Sequence, residues 1–531
     1  MTASHSSAPT ARAVSASGAT LALVAAFLVA APYVRLTPFA APYDSQRIVE
    51  LVLIGAVVLL TATASGARAV RSGGSGLSLG SRLALAGGFS LGVLSSVAAP
   101  EPLYAFVEVG LFAGLVGVAF FLAGAWGEAN EDPRAGVEAV ALACALSYGA
   151  LVYARHLAGV LDGGEGWPHD PGAFTHPRFL GQLQLVIVPL LLSLSIRLRE
   201  DGSRRLATRA GAACLRMVAA AHVTLLLASG GRASWLGVGL GVLTALGLFR
   251  GRVRPFLREG AVVAVLSFLL FGLVFVLLSD LGLADQYARG GDGTSGRMEH
   301  WASALLIVRD RPWLGIGPMH YAYLETLYGA HPHNLALQLA SEWGLPAAVL
   351  LGGTALRGAW AWGREVSRPG APPSRSAWRA ALTVALVATM ANAMFDSFAM
   401  VPLAQVWTAL VLASLLAECR RIEGPARARL VPHRMTLRGR AAVFGVVAIA
   451  WLPSVVVAAR DLPVDRVYER RAWLNPINPT PRFWEVGTIA PPEGTPADLQ
   501  RKYWPWNPHA SHASSATDEP VSERAARGRS R

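Results

Sequence analysis

Runs of about 18 or more apolar residues, separated by short polar loops, recur along almost the whole of this chain. Each is long enough to cross the ~30 Å hydrocarbon core of a bilayer as a helix, which satisfies its backbone hydrogen bonds internally. A closed β-barrel would instead show alternating polarity in ~10-residue segments, and none is seen. The chain therefore reads as an all-α polytopic membrane protein. Its 531 residues are 53% hydrophobic and 15% charged, too apolar for a soluble domain of this length.

Spans are expected near 17–34, 47–64, 82–99, 103–126, 136–158, 179–196, 210–228, 233–249, 260–279, 335–356, 379–396, 401–418 and 441–459. That makes about 12–13 transmembrane helices. A cytoplasmic leader, 1–16, precedes a transmembrane block, 17–279. An external loop, 280–334, leads to a second block, 335–459. The tail, 460–531, is rich in Pro, Ser and Arg and is expected to be partly disordered on the far side, touching the membrane through Trp484, Trp504 and Trp506. The first apolar run lacks a clear small-residue cleavage site, so it reads as a span and not a cleaved signal. Arg216 lies inside the seventh span and must snorkel or pair.

The formal net charge of +13 does not point to a nucleic-acid partner. The arginines crowd into short loops around 68–82, 197–209, 250–258, 357–379 and 420–440, which this span order puts on one side. Positive-inside bias makes that side cytoplasmic. The segment 127–135 falls there too but is acidic. Cys144, Cys214 and Cys419 have neither metal-type spacing nor the look of a disulfide framework.

The opposite face then carries arginines that break this bias: Arg178, Arg232 and Arg297, with His176, His320, His331 and His333. A guanidinium forms two parallel charge-assisted bonds to a phosphate, so a bound anion at the membrane surface would account for them. Each also has a plainer reading. Arg232 can end a helix among lipid headgroups. Arg297 can be a solvated residue of an interfacial helix, since "RMEHWASALLIV" has helical apolar spacing. His333 can be an ordinary interfacial histidine, and Asp396 a loop acid.

From Arg297 the chain reads "GRMEHWASALLIVRDRPWLGIGPMHY" and then "HPHNLALQLASEWGLPAAVLLGG". This resembles the O-antigen ligase and polymerase superfamily of bacterial inner-membrane glycosyltransferases. That pattern has an Arg, an aromatic-containing helix, a D-x-P-x-x-G-x-G turn, and a His-Asn pair ten residues before a Gly. Here these are Arg297, then Asp310, Pro312, Gly315 and Gly317, then His333, Asn334 and Gly344. Ser229 and Arg232 resemble the family's Ser and Arg at a span end, with a Gly pair inserted between them. The stretch "FTHPRFLGQLQLVIVPLLL" is similar to another family segment, and a looser match surrounds Asp396.

The resemblance implies a GT-C-like enzyme whose donor is a glycan on undecaprenyl diphosphate. The acceptor is a hydroxyl of lipid A-core, of another glycan repeat or of a protein, with O-antigen ligation to lipid A-core the leading expectation. It implies a multi-pass protein of the bacterial inner membrane, amid membrane lipids, with its site facing the periplasm. In that role Arg232 and Arg297 neutralise the departing diphosphate, and His333 takes the acceptor's proton. Arg178 is a third phosphate ligand. Asn334 orients the histidine or the sugar, Glu299 is the reserve base, and His331 is counted among the substrate-binding residues. No clustered carboxylates of the D-x-D kind appear on this face beyond the acids near Asp285 and Asp292, so a metal-independent, inverting, cofactor-free displacement is expected. A second class stays open, a transporter of polysaccharide or lipid-linked glycan. It would place ionisable groups near mid-membrane, whereas here, Arg216 and His222 apart, they gather at one surface. A scaffold in envelope assembly would explain the tail but not the Arg-His pattern.

Overall fold

The computed structural model describes residues 16–36, 42–164, 166–201, 206–279, 281, 296–324, 330–368, 370–423, 445, 448 and 451–459. They form a bundle of helices, and among the described residues there is no strand. In chain order the helices are α1 (Ala16–Ala30), α2 (Pro42–Thr61), α3 (Ala64–Ser75), α4 (Leu79–Val97), α5 (Pro102–Ala129), α6 (Pro133–Leu161), α7 (Pro177–Asp201), α8 (Leu206–Ala228), α9 (Arg232–Phe249) and α10 (Arg254–Phe271). After these come α11 (Arg297–Asp310), α12 (Leu335–Glu342), α13 (Leu345–Val366), α14 (Pro373–Ala393) and α15 (Pro402–Glu423). Six described stretches are long and apolar enough to cross a membrane, as expected of a polytopic chain.

The apolar runs differ in burial. In α7, 94% of the most apolar window is buried, so this helix runs through the middle of the bundle. In the stretch Arg232–Leu277 only 22% is buried, so α9 and α10 form a wall whose leucines face lipid. On its other side α9 meets α14 backbone to backbone. A Cβ at Gly237 would lie 2.6 Å from Ala388 O, so a small residue is required there.

The structure departs from the expected spans in three places. α3, absent from the sequence reading, follows α2 after a bend of 103°. The run 260–279 is α-helical only to Phe271 and then widens into a π-turn, Gly272–Leu277. The run 335–356 is not one helix, because it breaks at Trp343–Gly344 into α12 and α13. The expectation for Arg216 is met by pairing: its Nε lies 2.7 Å from Glu259 Oε2 and its Nη2 2.8 Å from Oε1. The tail, most of the leader, Asp285 and Asp292 lie outside the described residues, as does part of the last expected span.

Candidate active site

The break between α12 and α13 is where the D-x-P-x-x-G-x-G segment docks. A helix end leaves carbonyls without intrahelical partners, and a helix start leaves amides without them. Here the turn supplies both. Ile316 N–H donates to Ser341 O (3.0 Å) and Gly317 N–H to Glu342 O (2.9 Å), closing the end of α12. Leu345 N–H donates to Pro312 O (2.8 Å), closing the start of α13. The contact is too close for side chains: a Cβ at Gly344 would lie 2.1 Å from Trp313 O, and φ is +92° there. The motif glycines are thus structural, and they fix α11 and the segment 330–334 over the same end of the bundle.

Five segments meet at that end: the start of α7, the turn before α9, the start of α11, residues 331–334, and the turn 394–401 between α14 and α15. The last is the hub. Arg297 Nε donates to Phe395 O (2.9 Å), His331 Nε2 lies 3.1 Å from Ser397 Oγ, and Ser397 N–H donates to Asp396 Oδ1 (2.8 Å). Asn392 Nδ2 donates to Ser234 Oγ (3.1 Å), tying the tops of α14 and α9.

The three arginines expected from the sequence come together here. Arg178 is the second residue of α7, Arg232 the first of α9 and Arg297 the first of α11. A helix start carries about half a positive charge from its unsatisfied amides, so cations there are locally unfavourable and anions favoured. Three helices nevertheless carry an arginine in their first two positions at the same place. The mutual field is felt at Arg297, whose pKa is lowered first by burial and then by Arg178 and Arg232, with Asp396 acting the other way. Arg232 is exposed, whereas Asp396 is buried.

Beside the arginines lies a cluster of histidines. The His333 ring centroid is 4.2 Å from that of His331 and 5.6 Å from that of His300. His333 has φ of +52°, a left-handed conformation uncommon for a residue with a Cβ. His300, not singled out in the sequence, is fully buried. Its Nδ1 lies 3.0 Å from the Tyr321 hydroxyl, which donates to His300 O at 3.1 Å. Burial, then the charges of His333 and Arg297, push its pKa down to about 3. Burial and Arg178 push His176 down to about 4, with Asp396 opposing. Both are therefore neutral at neutral pH.

Other expected site residues take quieter places. Asn334 caps α12, its Oδ1 accepting from Leu337 N–H (3.0 Å). His331 is buried, and its Nδ1 accepts the His333 N–H at 3.1 Å. Glu299 stands in the first turn of α11 with an Oε2 that accepts no hydrogen bond among the described residues. His320 bridges Glu101 N–H (3.0 Å) and Pro318 O (2.8 Å), a tie between loops. The sequence reading missed Ser397 and the Phe395 carbonyl, which no local pattern marks. His300 was findable, three residues after Arg297 on a helix that turns every 3.6.

No curated protein matches the chain. Residues 217–352, which hold Arg232, Arg297, His331, His333 and Asn334, match the family model described as O-antigen ligase, and this match supports placing the chain in the O-antigen ligase/polymerase superfamily.

Proposed function

We propose that this chain is a glycosyltransferase that moves a glycan from undecaprenyl diphosphate to an acceptor hydroxyl at the periplasmic face of the bacterial inner membrane. The observation that carries the reading is the meeting of three arginine-bearing helix starts beside His333. The acceptor oxygen attacks the anomeric carbon as the bond from that carbon to the diphosphate breaks. The bonding pair leaves with the diphosphate, and the configuration inverts. Charge grows on the leaving group during this step, so Arg232 and Arg297 bind the transition state more tightly than the ground state. Arg178 adds a third contact. The His333 imidazole accepts the acceptor's proton, and Glu299 is the reserve base. Fixed guanidinium charge does the work a divalent metal does elsewhere, and no cofactor takes part.

Ligation of O-antigen to lipid A-core is the leading assignment, and polymerisation or transfer to protein would use the same chemistry. A transporter is less well supported, because the buried arginines Arg47 and Arg134 are held by Glu50 and Glu138. The deciding experiment is complementation of cells lacking their own copy, with the chain and its Arg232→Ala, Arg297→Ala and His333→Ala variants. A ligase restores long glycan on lipid A-core, and each variant loses it while polymer accumulates on the carrier lipid. A polymerase defect leaves single-repeat product. Three variants indistinguishable from wild type at matched expression would remove the site.

A further inference from the structure

Two tripeptides at this end of the bundle share one form, His176-Pro177-Arg178 and His331-Pro332-His333. In both, Nδ1 of the first histidine accepts the backbone N–H two residues on, at 3.1 Å in each case. The cause is the proline. It has no N–H of its own, and it pushes the preceding residue toward extended backbone. The next amide is then the first donor within reach of the ring. The imidazole does what a carboxamide oxygen does in an Asx-turn. An Nδ1 that accepts holds no proton, so both rings are in the Nε2–H form. In His331 that Nε2–H meets Ser397 Oγ at 3.1 Å.

The third residue of each tripeptide is one the function needs. The charge of Arg178 reaches Arg297, and that of His333 reaches His300. The turns also differ in a useful way. Arg178 continues directly into α7, whereas His333 turns left-handed at φ +52° before Asn334 caps α12.

We propose that His176 and His331 are paired positioning residues: each holds the residue two places on through an imidazole used as a turn acceptor, Arg178 toward the donor diphosphate and His333 toward the acceptor hydroxyl, with Ser397 fixing the tautomer of His331. The assignment of donor and acceptor rests on the functional reading above.

Asparagine places an acceptor where Nδ1 stands, and glutamine reaches only to where Nε2 stands. The test is transfer by the purified full-length chain, with a synthetic polyprenyl-diphosphate glycan as donor. His331→Gln and His331→Ala are expected to lose about 10²-fold in kcat at unchanged donor KM, and His331→Asn to keep most of it. His176→Gln and His176→Ala are expected to raise donor KM about tenfold, and His176→Asn to restore it. Glutamine working as well as asparagine at either position overturns the turn-acceptor role. A second readout is independent of turnover. In the ¹⁵N-histidine-labelled chain at neutral pH, both Nδ1 atoms are expected at the unprotonated position, assigned by their loss in the asparagine variants. A protonated Nδ1 in a chain that transfers overturns the positioning alone. A wild-type chain that transfers nothing overturns the functional reading, and the donor and acceptor assignments with it.

Discussion

Both ends of the bundle gather arginines, and the clusters around Glu418 and around His333 use them differently. At the end away from His333, three buried glutamates each hold two arginines. Glu138 takes Arg134 (3.0 Å) and Arg197 (2.7 Å), Glu259 takes Arg216 (2.7 Å) and Arg199, and Glu418 takes Arg379 (2.8 Å) and Arg375. Apart from Arg134–Glu138, which lies within α6, these pairs cross between helices, so charge there serves packing. At the His333 end the Arg297 Nε goes to a carbonyl, Asp396 Oδ1 accepts a backbone amide, and Arg232 is exposed at a helix start. Arginine closes the fold at these glutamates, and at the His333 end too where Arg47 meets Glu50 beside Met400 O, whereas Arg178, Arg232 and Arg297 stand where an anion is already favoured by the helix starts.

The largest expected effects separate these roles. Glu418→Ala leaves two mostly buried guanidinium groups without their shared carboxylate, and is expected to cost about 3–5 kcal/mol of stability. Its activity per folded molecule stays near wild type. Arg297→Ala is expected to lose about 10²- to 10³-fold in transfer rate with a change in stability of about 1 kcal/mol. Thermal unfolding in detergent and turnover on a polyprenyl-diphosphate donor measure the two axes. The contrast between the ends breaks if Arg297→Ala unfolds as readily as Glu418→Ala while the folded fraction still turns over normally.

Much of this was readable in the sequence, for reasons that also explain what was not. Spans announce themselves through length and hydropathy, and α5, α6, α7 and α8 fall where the apolar runs put them. The break before α13 was readable too, since "WGLP" places a glycine and then a proline where one helix stops and another starts. The continuous apolar run hid it, because a buried helix and a broken one bury the same residues. α3 carries too few apolar residues to look like a span. The site arginines stood out because they broke a charge rule. Ser397 and Phe395 did not, because they act through a hydroxyl and a carbonyl brought near only by the fold. The His-Pro-X pair was in plain view but gained meaning only once both Nδ1 bonds were seen.

A smaller effect follows from acid. His176 is held at about 4 and His300 at about 3, against an ordinary value near 6.5. Both folded values are depressed, so the unfolded chain takes up protons first as pH falls. The stability these groups contribute is complete above about pH 6.5 and is lost toward their folded values, by up to about 1.4 kcal/mol per pH unit for each. His300→Phe keeps a ring at the buried position and removes the proton site. Unfolding temperature followed from pH 7 to 4 is expected to fall less steeply in that variant than in wild type. Equal slopes would mean that His300 titrates normally, and would remove the neutral histidine cluster from the contrast between the two ends.

The smallest effect is also the sharpest comparison, because the same positive φ occurs at both ends. Asn130, the C-cap of α5 near the Glu138 and Glu418 pairs, has φ of +52°, and so does His333. At Asn130 this is the ordinary left-handed ending of a helix, which asparagine tolerates well. At His333 no helix is ending, and an imidazole held left-handed costs about 1 kcal/mol that glycine would not incur. Asn130→Gly should therefore be close to neutral in both stability and transfer. His333→Gly should be about 1 kcal/mol more stable than His333→Ala, yet equally inactive, because relieving the backbone does not restore the base. If His333→Gly is instead the less stable of the two, the conformation at His333 carries no strain, and the histidine sits there for packing as Asn130 does for capping. If it is more stable and inactive, the strain at that end is tolerated for the chemistry of the ring.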